Sequence, residues 1–198
     1  MKSLWIKHVV KSTLRCDFLR REDGTIALEA TIVMPLIFWT YLSMFSIFDA
    51  FRMYSIHQKA AFTIGDAISR ETVPIDDEYL DGVLDLYEYL SRSQEQTNLR
   101  VSSVWYDEEN DVFNTDWSET RGPIAPLTSE ETRNWHDRIP VLVDNEHVII
   151  LETWSTYDPP FNTGLEEREI RNLVFTRPRY ATCVLWFESA QDGCAPGT

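Results

Sequence analysis

The chain has little of what enzymes are commonly built from. Its four histidines, His8, His57, His136 and His147, fall in separate segments with no HExxH or other paired metal spacing. No GxSxG elbow, Walker loop or dinucleotide fingerprint occurs, and no cysteine sits in a recognisable catalytic context. These absences argue against an enzyme. No catalytic residue, metal site or cofactor is expected, and each histidine reads as a surface or strand residue. Internal repeats and low-complexity tracts are missing too.

Positive charge is scarce outside the first 23 residues. Six of the 18 basic residues (Lys2, Lys7, Lys11, Arg15, Arg20, Arg21) lie there with three acids, leaving 12 basic against 29 acidic residues beyond. Such an acidic body repels a phosphate backbone, so a nucleic-acid partner is not expected. Formal charge then disappears altogether from Ala30 to Phe48. As a helix these 19 residues reach about 28 Å, enough for a hydrocarbon core of about 30 Å. A secretory signal peptide is the alternative. The basic region is long for one, the apolar run exceeds a usual h-region, and Ser46 to Ala50 provides no clear small-residue cleavage site. A retained anchor is therefore preferred. The Lys/Arg excess on its N-terminal side orients that end to the cytoplasm and exports the acidic remainder.

Helical patterning continues past the span. Met53, Ile56, Ala60, Ile64 and Ala67 recur at steps of three and four, with Arg52, His57, Lys59, Asp66 and Arg70 placed toward water. Asp66 and Arg70 are spaced for an ion pair one turn apart. A single helix from about Ile26 to Thr72 is expected, bent near Pro35 and limited by Pro74. Asp77 to Arg92 reads as a second helix capped by Asp76 or Asp77. The period then changes: Leu99–Tyr106, Val112–Trp117 and His147–Trp154 read as strands, and Thr128–Arg138 as a short helix ended by Pro140. Asn172–Thr176 and Thr182–Phe187 read as a last strand pair around Arg177-Pro178-Arg179. The expected fold is α+β, a long N-terminal helix (a transmembrane half, then an amphipathic half) packed on a mainly antiparallel sheet. The segments are residues 1–24, a basic cytoplasmic leader; 25–50, the transmembrane helix; 51–73, its amphipathic continuation; and 74–198, a periplasmic α+β domain.

Several residues then stand out. Cys16 remains in the leader, while Cys183 and Cys194 share the exported side, where disulfides persist. A bond between them would close a loop of about a dozen residues and contribute about 3 kcal/mol in the chain-entropy model; a buried Cys183 with an incidental Cys194 is the alternative. Arg177 and Arg179 form a basic patch on an acidic domain, for docking on a partner or for internal ion pairs. The acidic run Asp107, Glu108, Glu109 and Asp111 lacks the EF-hand arrangement and reads as a solvated hairpin turn rather than a Ca2+ site. The tryptophans Trp105, Trp117, Trp135, Trp154 and Trp186 read as core. Glu29 sits at the head of the apolar run, where a carboxylate costs roughly 2.5–3.5 kcal/mol if carried to the helix centre, so it suggests a function. The glycine five residues before it, Gly24, sharpens that suggestion. Without it, an acid interacting with the helix dipole would suffice.

The segment Gly24-Thr25-Ile26-Ala27-Leu28-Glu29-Ala30-Thr31-Ile32-Val33-Met34-Pro35-Leu36 resembles the TadE-like family, pseudopilins of the tight-adherence (Tad/Flp) pilus system. Gln58-Lys59-Ala60-Ala61, Asp66, Ser69-Arg70 and Arg177-Pro178-Arg179 are similar to one branch of it. Ala30 departs from the Phe or Tyr often found there. The resemblance implies cleavage by a prepilin peptidase between Gly24 and Thr25, and a register role for Glu29 against the new amino terminus of a neighbouring subunit. It also implies a non-enzymatic subunit of the bacterial inner membrane, with an exported domain, acting in pilus assembly. The implied partners are the peptidase, other pilins and pseudopilins, the inner-membrane assembly platform and membrane lipid. A permanently anchored periplasmic binding or adaptor protein, never processed, is the competing reading.

Overall fold

A computed structural model describes residues 25–93, 97–161, 163–189 and 193–194. The chain divides into two compact units, Met1–Phe45 and Ser46–Thr198. In the first, the described residues belong to helix α1 (Thr25–Ile68), which runs without interruption through Pro35. At 44 residues α1 is about 66 Å long. It is long and apolar enough to cross a membrane. Ile26, Leu28, Ile32, Leu36 and Phe38 are all exposed in it.

The second unit is the α+β body. Its share of α1 buries His57, Ala60, Ala61, Ile64 and Ile68, a stripe at helical spacing. His57 thus lies on the core face and not toward water as expected, because it sits three and four residues before Ala60 and Ala61. Gly65 belongs to the same face, where a Cβ would come within 3.2 Å of Val174 Cγ1. The helix closes when Ser69 N–H donates to the Gly65 carbonyl at 3.0 Å and Arg70 N–H to the Ala67 carbonyl at 3.1 Å. It therefore ends four residues earlier than the proline alone suggested.

Helix α2 (Asp77–Ser91) is capped by Asp76, whose carboxylate accepts from Tyr79 N–H at 2.9 Å. Strands β1 (Asn98–Asp107), β2 (Val112–Arg121), β3 (His147–Tyr157) and β4 (Arg168–Thr176) form one sheet in the order β2-β1-β3-β4, every neighbour antiparallel. Between β2 and β3, the expected helix resolves into a four-residue α3 (Ser129–Thr132) and a 3-10 turn (Trp135–Asp137). Its start follows the Thr-x-x-Glu pattern: Thr128 N–H donates to Glu131 Oε2 at 3.1 Å.

Two cores sandwich the sheet. On one face Leu99, Val101, Ile149, Leu151 and Val174 pack with Ile64, Ile68, Leu80 and Tyr87 of the helices. On the other, Val104, Phe113, Val148 and Ile150 are covered by Leu127, Ile139 and Leu142 from the β2–β3 connection. Alternation along each strand makes this two-sided burial. Thr182–Phe187 is not a strand paired with β4. Only a parallel bridge joins Ile75 to Trp186, and the Val184 carbonyl is taken by the Trp117 indole N–H at 2.8 Å. The segment fills a gap beside Trp117 instead of extending the sheet, with the Trp117 and Trp186 rings 5.8 Å apart.

Candidate functional site

Thr25 opens α1, and Glu29 follows one turn later on the same helical face, exposed to the surroundings of the helix. Gly24 lies outside the described residues. The polar groups nearby are locally quieted. Thr31 Oγ1 donates to the Ala27 carbonyl at 2.7 Å and Thr40 Oγ1 to the Leu36 carbonyl at 2.8 Å, so both hydroxyls are satisfied within the helix. Glu29 is the only ionisable side chain from Thr25 to Phe48 apart from Tyr41, so it is the one charge that this stretch presents.

The basic patch of the tail is engaged within the chain. Arg179 Nη2 lies 2.7 Å from Asp66 Oδ1, while the other oxygen of Asp66 holds Arg70 at 2.8 Å. Arg179 N–H also donates to the Ser69 carbonyl at 2.8 Å. Arg177 Nε pairs with Glu146 Oε1 at 2.9 Å. Asp66, Ser69, Arg70 and Arg179 therefore meet at the end of α1. There they tie the chain after β4 to the long helix. Cys183 and Cys194 are joined in a disulfide with a Cα–Cα distance of 5.9 Å.

No protein-family model, curated protein or solved structure matches the chain.

Two polar constellations escaped the sequence reading. Inside the helix-facing core, His57 Nδ1, Tyr87 Oη, Thr153 Oγ1 and Asn172 Nδ2 are linked at 3.0, 3.0 and 3.2 Å. Each group can donate to the next, from the Asn172 amide through two hydroxyls to an unprotonated His57 nitrogen. Burial lowers the His57 pKa, in keeping with the accepting form, and burial raises that of Tyr87. The chain fastens α1 and α2 to β3 and β4.

On the opposite sheet face, Glu152 is 1% exposed and held between Arg100 and Arg171. Arg100 Nε donates to Glu152 Oε2 at 2.7 Å, with Arg100 Nη2 on the same oxygen, and Arg171 Nη2 donates to Oε1 at 2.7 Å. Both guanidinium carbons lie over the Trp154 ring, 5.4 and 5.1 Å from its centroid. Trp154 thus stacks with cations where core packing was expected. One signal was present in the sequence: Glu152 is the sole acid in the apolar run from His147 to Trp154.

The acidic hairpin is a turn tied by its own groups. Asp107 accepts from Asn110 N–H at 3.2 Å and Nδ2 at 2.7 Å, and Asp111 accepts from Tyr106 Oη at 2.7 Å. These bonds hold both carboxyls below their usual range and push Tyr106 up to about 12. Among the described residues, no group of three His, Cys, Asp or Glu side chains could hold a metal ion.

Proposed function

We propose that the chain is a minor pilin or pseudopilin of a tight-adherence pilus, cut between Gly24 and Thr25 by a prepilin peptidase and acting in pilus assembly without catalysis of its own. The supporting observation is the lone carboxylate of Glu29, one turn from Thr25 on an exposed apolar helix that is long enough to span a bilayer. Cleavage would put an α-ammonium at Thr25. In a low-dielectric bundle that charge and a neighbour's Glu29 attract far more strongly than in water, and each is costly unpaired, so the pair selects one axial register. The basic leader then belongs in the cytoplasm and the acidic body outside it, with the inner-membrane platform and other pilins as partners. Head-to-tail helix contacts of this kind do not close on themselves, which suits a subunit that starts or caps a filament.

Glu29→Ala tests the reading. Membrane insertion is expected to survive, because the span becomes more apolar, while surface pilus yield falls. Unchanged piliation would reduce Glu29 to a local helix role and remove the argument from register.

A further inference from the structure

The two edges of the sheet are treated differently. Edge strand β2 is covered near its start, at Phe113 and Thr115, by the connection that follows it: Thr115 N–H donates to Ser129 Oγ at 3.0 Å, Phe113 N–H to the Arg133 carbonyl at 3.4 Å, and Thr132 Oγ1 to the Phe113 carbonyl at 3.3 Å. Edge strand β4 has no such cover. Its main chain is laddered to β3, and among the described residues no other hydrogen bond reaches the backbone of Arg168–Thr176. An uncovered row of N–H and C=O groups is a template for one more strand.

A second feature lies at the same edge. A cleft of about 650 Å³ opens beside the start of β4, floored by Ile47, Phe51 and Tyr54 of α1 and by Tyr157, and walled by residues 164–170. Phe51 is 68% exposed. Its rim carries Glu166, Glu167 and Glu169 around Arg168, all exposed, and none of these four side chains has a hydrogen bond or ion pair among the described residues.

We propose that β4 accepts an extended segment of a different protein, one that alternates apolar and basic side chains. Its main chain would continue the sheet, an apolar side chain would enter the cleft against Phe51 and Tyr54, and its basic side chains would meet the three unspent glutamates. A second copy of this chain fits less well, since it brings a net charge of −14 and the same acidic rim. The glutamates disfavour self-pairing while drawing a basic strand. The inference rests on the edge and the cleft and is independent of processing at Gly24.

The test uses the full chain in phosphatidylcholine nanodiscs. The probe is a synthetic peptide of about nine residues alternating valine and lysine, a length that matches β4. Amide hydrogen exchange is read residue by residue, with empty nanodiscs as the control for peptide bound to lipid. We expect protection of the β4 amides to rise about tenfold with no change in β2. Three controls should show no gain: a valine–glutamate peptide, a proline-interrupted valine–lysine peptide, and the Glu166→Lys, Glu167→Lys, Glu169→Lys triple variant, whose changes are all at exposed positions. Phe51→Ser should reduce the gain. No protection of β4, equal protection of β2, equal binding of the acidic peptide, or β4 protection that appears only on self-association in sedimentation would each overturn the proposal.

Discussion

Replacing Glu152 by Gln should cost more stability than its conservative size change suggests. The substitution keeps shape and volume but removes the single negative charge that faces Arg100 and Arg171. Arg100 has a side chain only 10% exposed and cannot turn to water. One of its amino groups has the Ala125 carbonyl at 2.9 Å, but its Nε and second amino group both depend on Glu152. Breaking a buried pair from one side leaves an uncompensated charge and typically costs about 3–5 kcal/mol, a large part of the roughly 5–15 kcal/mol that holds a domain. The Arg171 side chain is 49% exposed, and its loss, Arg171→Ala, leaves Glu152 still paired with Arg100. That change should cost about 1 kcal/mol, as half-solvated pairs do. Urea unfolding of the full chain in a mild detergent, followed by tryptophan fluorescence, gives both numbers from the shift in midpoint at constant slope. A Glu152→Gln cost near 1 kcal/mol, or an Arg171→Ala cost equal to it, would refute the assignment of Arg100–Glu152 as the buried and dominant pair.

Other expectations follow from single contacts. Gly65→Ala should destabilise by up to about 2 kcal/mol, because the pressure of its Cβ on Val174 inside the core outweighs the gain in helix propensity. Gly82→Ala, with nothing within 4 Å of its Cβ, should stabilise α2 by about 0.5–1 kcal/mol; the same urea series measures both. Cys183→Ser with Cys194→Ser should lose about 3 kcal/mol, and thiol titration of the unfolded full-length chain, from Met1, without reductant should find only Cys16. The folded-state pKa of His57 is depressed by burial, so its stabilisation is present above the unfolded value of about 6.5 and is lost as pH falls from there through the folded value. Protonation would turn the accepting nitrogen into a donor and break the chain to Tyr87. His57→Asn, which keeps an acceptor near that position, should remove this part of the pH dependence.

The architecture was legible where one physical signal acted alone. Uncharged length marked the apolar helix, and β-forming residues bounded by turn residues marked β1 to β3. The Asp76 cap and the Asp66–Arg70 pair follow from spacing of three or four residues at a helix end, and both are present. What failed involved residues distant in sequence. His57 is polar, so patterning turned it outward, yet Tyr87 30 residues away provides the partner that makes its burial tolerable. Thr182–Phe187 has strand composition, but tertiary contacts with Ile75 and Trp117 claimed its backbone first. Arg177 and Arg179 looked like a patch because Glu146 and Asp66 are remote in sequence and adjacent in space. Glu152 announced itself only as an anomaly in an apolar run; its two arginine partners emerged from strand register.

The central claim is that the first 24 residues are a leader removed after Gly24, freeing Thr25 to pair with Glu29 of a neighbour. N-terminal sequencing of the protein recovered from membranes of cells with an active prepilin peptidase tests it most directly. The account predicts a mature chain that begins Thr-Ile-Ala-Leu-Glu, and an unprocessed one when Gly24 is replaced. A chain that still begins at Met1 in cells that process their other prepilins would contradict it and favour a permanently anchored periplasmic protein.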